Sequence, residues 1–295
     1  MKTLTAVTSR LGNRPGNQDR CLVEKKPGHV LLVVADGMGG HARGDLAAQV
    51  AVDSLARSFQ RASLPINDPQ SFLKQAIHTA HLDVVDAGRS HNPPITPRTT
   101  CVACLVQNDV ACWAHVGDSR LYLLRAGALL KRTRDHTPVE DLLQSGLVSE
   151  EELRNHPLRN SVSRCLGGSP RFPEISFDQE ALVAEDTLLL CSDGLWSAVP
   201  EPLLVSIQVS GELEHSLNQL AEEAESASYP NSDNISGVAL RWLAADRTTR
   251  VTRPGVTTPD TPMPDSPEAQ DKDELEQAIE DIHRAMLEYA SEMKK

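Results

Sequence analysis

The chain holds 295 residues, 40% of them apolar, which suits one large globular domain with a small appendage and excludes a wholly disordered protein. Acidic residues outnumber basic ones by 41 to 29, and the net charge of −12 argues against nucleic acid or an anionic membrane surface as the main partner. With four Phe, three Tyr and three Trp, the core must be built mainly from Leu, Val, Ile and Ala.

Val30–Ala35 predicts a buried strand that leads into Asp36-Gly37-Met38-Gly39-Gly40. Helical periodicity predicts a helix from Gly44 to Phe59, with Leu46, Val50, Ala51 and Leu55 inward, and a second from Phe72 to Val85. Three short strands follow, Cys101–Val106, Val110–Val116 and Leu121–Leu124, separated by hairpin-type breaks at Asn108-Asp109 and Gly117-Asp118. Residues 138–156 read as two short helices joined at Ser145-Gly146. Thr187–Cys191 predicts another buried strand, ending at Ser192-Asp193-Gly194; Glu212–Ala227 reads as a long helix and Ile235–Leu243 as a closing strand. Hairpins followed by helix pairs, without regular βαβ alternation, imply an α+β fold of antiparallel sheets with helices packed outside.

Composition changes near residue 245. Residues 1–245 are expected to form one domain, and 246–265 a Pro/Thr-rich linker with prolines at 254, 259, 262 and 264. Ser266-Pro267-Glu268 carries a helix start, and Leu275, Ile279, Ile282, Met286, Tyr289 and Met293 follow at alternating spacings of four and three. An amphipathic helix over 266–295 is therefore predicted, with a seam that could dock on its own domain, on a second copy or in a partner's groove. The apolar runs are strand-length, well under the ~18 residues of a membrane span, and Met-Lys-Thr-Leu-Thr has no apolar leader core. A cytoplasmic protein with no membrane partner is expected.

Cys101 and Cys104 form a C-x-x-C, but no second pair sits at ligand spacing, and a strand would turn the two thiols to opposite faces. Buried structural thiols are expected instead. The chemistry lies with carboxylates at strand ends: Asp36-Gly37, Gly117-Asp118, Asp193-Gly194, and Asp233-Asn234 just before the last strand. One such pair is usually a turn. Four brought to within ~4 Å of one another would repel by about 4 kcal/mol per pair at an effective dielectric of 20, so cations must neutralise them. All-oxygen ligands favour Mg²⁺ or Mn²⁺ over zinc.

Six motifs occur in order: Arg14-Pro15-Gly16-Asn17-Gln18-Asp19, Val34-Ala35-Asp36-Gly37-Met38-Gly39-Gly40-His41, Gly117-Asp118-Ser119-Arg120, Thr133-Arg134-Asp135-His136-Thr137, Cys191-Ser192-Asp193-Gly194-Leu195-Trp196 and Ser232-Asp233-Asn234-Ile235. Over residues 1–243 the chain thereby resembles the metal-dependent PP2C-type (PPM) protein serine/threonine phosphatases in their bacterial form. The resemblance implies a four-layer αββα sandwich, two antiparallel sheets flanked by helices, with a centre for two Mn²⁺ or Mg²⁺ ions at one end. It implies that Asp36 bridges both ions, that the Gly37 carbonyl binds one, and that Asp193 and Asp233 bind the other. Asp118 with Asp193 matches a third, weaker metal site. Asp19 and Gln18 stand behind, holding water, and Arg14 matches the arginine that clamps substrate phosphate. Residues 137–168 fall where the family carries its flap. The implied reaction is attack of a metal-bridging hydroxide on phosphoserine or phosphothreonine, with phosphorylated proteins as substrates and a cognate Ser/Thr kinase as the opposing activity. Two departures stand out: Gln18 replaces a frequent Glu, and Met38 occupies the place of a candidate general-acid histidine, leaving that role unassigned. His41, His115 and His136 read as structural: a donor in a Gly-rich turn, a strand position and a turn-capping side chain. Two alternatives remain: a PPM-type phosphatase of an anti-sigma partner-switching pathway, and an inactive phosphoprotein-binding pseudophosphatase.

Overall fold

The computed structural model describes residues 2–38, 43–149, 152, 156–158, 161–208 and 211–244. The linker at 246–265, the helix expected over 266–295, His41 and part of the second short helix expected after Gly146 lie outside the described residues. In chain order the described elements are β1 (Lys2–Arg10), β2 (Asp19–Lys26), β3 (His29–Met38), α1 (Gly44–Arg61), α2 (Pro69–Ser90), β4 (Arg98–Thr99), β5 (Cys101–Gln107), β6 (Val110–Val116), β7 (Arg120–Arg125) and β8 (Ala128–Arg132). They continue with α3 (Pro138–Gln144), β9 (Leu166–Gly167), β10 (Ser176–Ala181), β11 (Thr187–Cys191), α4 (Asp193–Trp196), α5 (Glu201–Ser206), α6 (Leu213–Ser228) and β12 (Ile235–Ala244).

Two antiparallel sheets result. One runs β1-β12-β11-β7-β8; the other runs β10-β6-β5-β3-β4-β9, with β2 also paired to β3. Alternation along β3 shows why they stack. Val30, Leu32 and Val34 face a core shared with Leu121, Leu123, Leu188, Leu190, Val238 and Leu240 of the other sheet. Leu31, Val33 and Ala35 point the other way, onto Ala47, Leu55, Ile77 and Val84 of α1 and α2. A third core lies beneath α4, α5 and α6, where Leu195, Leu204, Leu217 and Ala221 cover Leu189, Cys191 and Ala239. Three apolar interfaces make four layers, the α+β sandwich expected from the sequence.

The same alternation separates the C-x-x-C thiols: Cys101 belongs to the helix-facing core and Cys104 to the core between the sheets. All six cysteines are free, and burial pushes the Cys101 thiol up to about 12, far from a reactive thiolate.

The break at Asn108-Asp109 is a tight hairpin, with φ of 50° and 60° at its two residues, matching a type I′ turn. Gly117-Asp118 is not a hairpin, contrary to expectation. β6 lies in one sheet and β7 in the other, so the chain crosses the sandwich at Gly117. Gly117 has φ +107°, and a Cβ there would stand 2.7 Å from Thr100 Cβ, so no side chain fits the crossing. Asp193, just past the end of β11 as expected, opens the short helix α4 behind Ser192. Among the described residues of 138–156, α3 is a regular helix, capped by the Thr137 side chain on Glu140 N.

Candidate active site

Sheet register gathers the acidic strand ends. Asp19 opens β2 directly opposite Asp36 at the end of β3. Cys191 pairs with Arg120 on one side and Gly237 on the other, which brings the start of α4, the Asp118 crossing and the start of β12 to one end of the sandwich. Asp36 feels the charges of Asp19, Asp193, Asp118 and Asp233 together.

Backbone contacts hold this end in place. Asp36 N–H donates to Thr100 Oγ1 at 3.0 Å, and the Asp36 carbonyl accepts from Thr100 N at 2.9 Å and from Thr99 Oγ1 at 2.9 Å. Thr100 Oγ1 in turn lies 2.7 Å from Ser119 Oγ, beside Asp118. Gly37 N–H donates to the Gln18 carbonyl at 3.2 Å, and Gln18 N–H donates to Asn234 Oδ1 at 2.8 Å. Gly37 and Gly44 pack backbone to backbone: a Cβ on Gly37 would fall 2.2 Å from the Gly44 carbonyl, so glycine at both places lets α1 start against the acidic end of β3.

The carboxylates are short of counter-charge. Asp19 is 3% exposed; its Oδ2 accepts from Ser192 Oγ at 2.7 Å, while its buried Oδ1 has no partner. Burial pushes Asp19 up to about 7, with the Ser192 bond opposing and Asp193 adding to the rise. Burial, then Asp193 and Asp135, push Asp118 up to about 8. Asp36 is raised well above the ordinary carboxylate range, first by burial and then by the surrounding acids. Asp193 is raised by burial and by Asp233. Asp233 is paired with Arg14, whose Nη2 donates to Oδ2 at 2.7 Å; both side chains are solvent-accessible, at 53% and 40%. Arg14 thus stands at the mouth of the site, bound to a carboxylate.

Among the described residues no three His, Cys, Asp or Glu side chains are already closed around one point. Asp19 is turned to Ser192 and Asp233 to Arg14. The donor chemistry nonetheless fits a hard divalent cation: every candidate is an oxygen, burial favours the neutral acids unless positive charge arrives, and Asp19 Oδ1 is orphaned. Sequence reasoning placed the acids but assigned no role to Ser192, Thr100, Ser119 or Asn234, each of which fixes a strand end. For Ser192, Ser119 and Asn234 the available signal was a short polar side chain inside a motif; Thr100 lies outside the motifs and had none.

His115 and His136 stack at 4.5 Å. His136 Nδ1 accepts from Gly117 N–H at 3.1 Å and its Nε2 meets Ser176 Oγ at 2.9 Å. Burial, with His115 adding, pulls His136 down to about 3, so it is neutral and structural.

The sequence matches the protein phosphatase 2C family over residues 8–229. A serine/threonine phosphatase stp of Listeria welshimeri is 35% identical over 234 residues, spanning 78% of this chain and 91% of its own length. The crystal structure of the Mycobacterium tuberculosis serine/threonine phosphatase PstP/Ppp superposes with a TM-score of 0.72 at 31% identity, over 82% of this chain and 99% of that one. The catalytic domain of a serine/threonine protein phosphatase PstP in complex with two manganese ions superposes with a TM-score of 0.71 at 29% identity, over 82% and 99%. With residues 8–229 matched, among them Asp19, Asp36, Asp118 and Asp193, and a relative 35% identical across 78% of this chain, the chain belongs to the protein phosphatase 2C family.

Proposed function

We propose that this phosphoprotein phosphatase hydrolyses phosphoserine and phosphothreonine esters at the acidic end of its sandwich, in opposition to Ser/Thr protein kinases. The observation that carries the reading is the convergence of Asp19, Asp36, Asp118, Asp193 and Asp233 from separate strand ends, where burial and neighbouring acids push Asp19, Asp36, Asp118 and Asp193 above the ordinary carboxylate range. Asp36, the Gly37 carbonyl, Asp193 and Asp233 would hold two Mn²⁺ or Mg²⁺ ions, and Asp118 with Asp193 a third. The structure with two manganese ions in a relative supports that count for the principal pair.

When bound, such ions supply the Lewis acidity that activates water toward phosphorus and neutralise the phosphate oxygens. The chain's own residues do the rest. Asp19 is held by Ser192 through one oxygen, leaving Oδ1 to orient a water molecule by accepting its hydrogen bond. Arg14 already donates to one carboxylate oxygen; a phosphate entering the mouth offers several oxygens to the same guanidinium, which would pass from Asp233 to it. Gln18 acts through its backbone, joining Gly37 to Asn234. Met38 has no proton to give the leaving alcohol. No helix among the described residues is long and apolar enough to cross a membrane.

The test is an assay on a phosphothreonine peptide with Mn²⁺, with Mg²⁺ and with EDTA. Turnover that appears with the ion and vanishes with EDTA supports the reading. Phosphopeptide binding without turnover in either metal would replace it with a binding role.

A further inference from the structure

Arg120 opens β7 two residues after Asp118 and is buried. Its guanidinium makes a two-pronged pair with Asp135, Nε to Oδ1 and Nη2 to Oδ2, both at 2.7 Å, and Nη1 donates to the Tyr122 hydroxyl at 3.1 Å. The face of the same guanidinium lies 3.4 Å from the centroid of the Trp196 ring. Trp196 ends α4, the helix that Asp193 begins. Its indole Nε1–H donates to the Asp118 carbonyl at 3.0 Å, across 78 positions of sequence. One ring therefore ties α4, which carries Asp193, to the crossing that carries Asp118.

We propose that Trp196 is a positioning residue: its bond to the Asp118 carbonyl, braced by the Arg120–Asp135 pair, holds the Asp118 and Asp193 carboxylates at the separation an additional divalent cation needs. The inference rests on the reading of those two acids as cation ligands. Two carboxylates brought together from the crossing after β6 and the start of α4 repel each other. A cationic brace aimed at the carboxylates would hold them but compete with the incoming ion. The brace used instead is neutral where it meets Asp118, bonding the backbone and leaving the carboxylate untouched. The arginine charge behind it is matched by Asp135. Position is thus enforced without spending the negative charge that attracts the cation.

Calorimetric Mn²⁺ titration of four full-length proteins tests this: wild type, Trp196→Phe, Asp118→Asn and the double variant. Trp196→Phe keeps an aromatic ring for Arg120 but loses the donor and part of the ring. The binding step that Asp118→Asn removes should weaken about tenfold in Trp196→Phe, the size typical of a lost outer partner, with other steps within about twofold. The double variant should match Asp118→Asn alone, because the donor acts only through that residue. Benzothienylalanine at position 196, nearly the same shape without the N–H, should reproduce the phenylalanine result if that variant folds poorly. Unchanged Mn²⁺ affinity in every step, or equal weakening of all steps, would overturn the inference. A wild-type protein that binds no Mn²⁺ would overturn the cation reading beneath it, and the inference with it.

Discussion

Replacing Asp118 with Asn removes one ionisable group from the buried acidic end while keeping its volume. In the folded chain, burial with Asp193 and Asp135 holds this carboxyl up at about 8, against 3.8 for the free side chain. The native state therefore binds the proton more tightly than the unfolded state. Below 3.8 both forms are protonated and the group contributes nothing. Between there and about 8 the unfolded chain loses its proton first, so stability of the ion-free protein falls as pH rises, by up to about 1.36 kcal/mol per pH unit for one group. By pH 7 that sums to about 4 kcal/mol, and the buried amide of the variant gives back about 1–3 kcal/mol of it. The net expectation is a gain of about 1–3 kcal/mol at pH 7–8, or roughly 3–9 °C in Tm for a domain of this size. Denaturant and thermal melts in EDTA at pH 5, 6, 7 and 8 measure it. The advantage of the variant should be small at pH 5 and should grow toward pH 8. Saturating Mn²⁺ should then favour the wild type, because ligation stabilises only the native state. A variant no more stable than wild type at pH 8 in EDTA, or an advantage that does not change with pH, would refute the reasoning.

Asp193→Asn should cut turnover by roughly 10²-fold or more, about 3 kcal/mol of transition-state stabilisation, with the fold intact by circular dichroism; near-normal Mn²⁺-dependent activity would remove Asp193 from the cation site. Arg14→Ala should mainly raise KM for phosphorylated substrates, with a smaller fall in kcat, because the guanidinium meets bound phosphate in both ground and transition states. An unchanged KM on peptides and small phosphate esters would exclude that role. Asp135→Ala should destabilise the protein by about 3–5 kcal/mol in urea unfolding, since it strands the buried Arg120 guanidinium. A loss under 1 kcal/mol would mean that Tyr122 and Trp196 suffice to hold it.

Much of the core was legible in the sequence for one reason: its strands are buried on both faces. Val30–Ala35 alternates between two cores, so every position is apolar and the run stands out. Helix α1 was legible from its helical period, but its buried face is turned slightly from the expected one: Ala51 and Leu55 are buried as expected, Leu46 and Val50 are only half-buried, and Ala47 and Ala48 take the inward places. The longer strands that escaped, β1, β2, β8 and β10, all lie at sheet edges or pair with one neighbour. There Leu4 and Val7 stay exposed, and Asp178, Gln179 and Glu180 occupy strand positions that only cross-strand pairing stabilises. Gly117-Asp118 looked like a hairpin turn because glycine beside aspartate is the usual turn chemistry; the crossing between sheets depends on contacts with Thr100 that the local sequence does not display.

The acidic residues and their places at strand ends were determined by the sequence, because an Asp that interrupts an apolar run is visible wherever the chain goes. Which partner each acid meets was decided by the tertiary structure. Ser192 reaches Asp19 across 173 positions, Arg14 reaches Asp233 across 219, and Trp196 reaches the Asp118 backbone across 78. A hydrogen bond near 3 Å is set by the relative placement of distant strands, and that placement comes from sheet register and the crossing at Gly117 rather than from any local pattern.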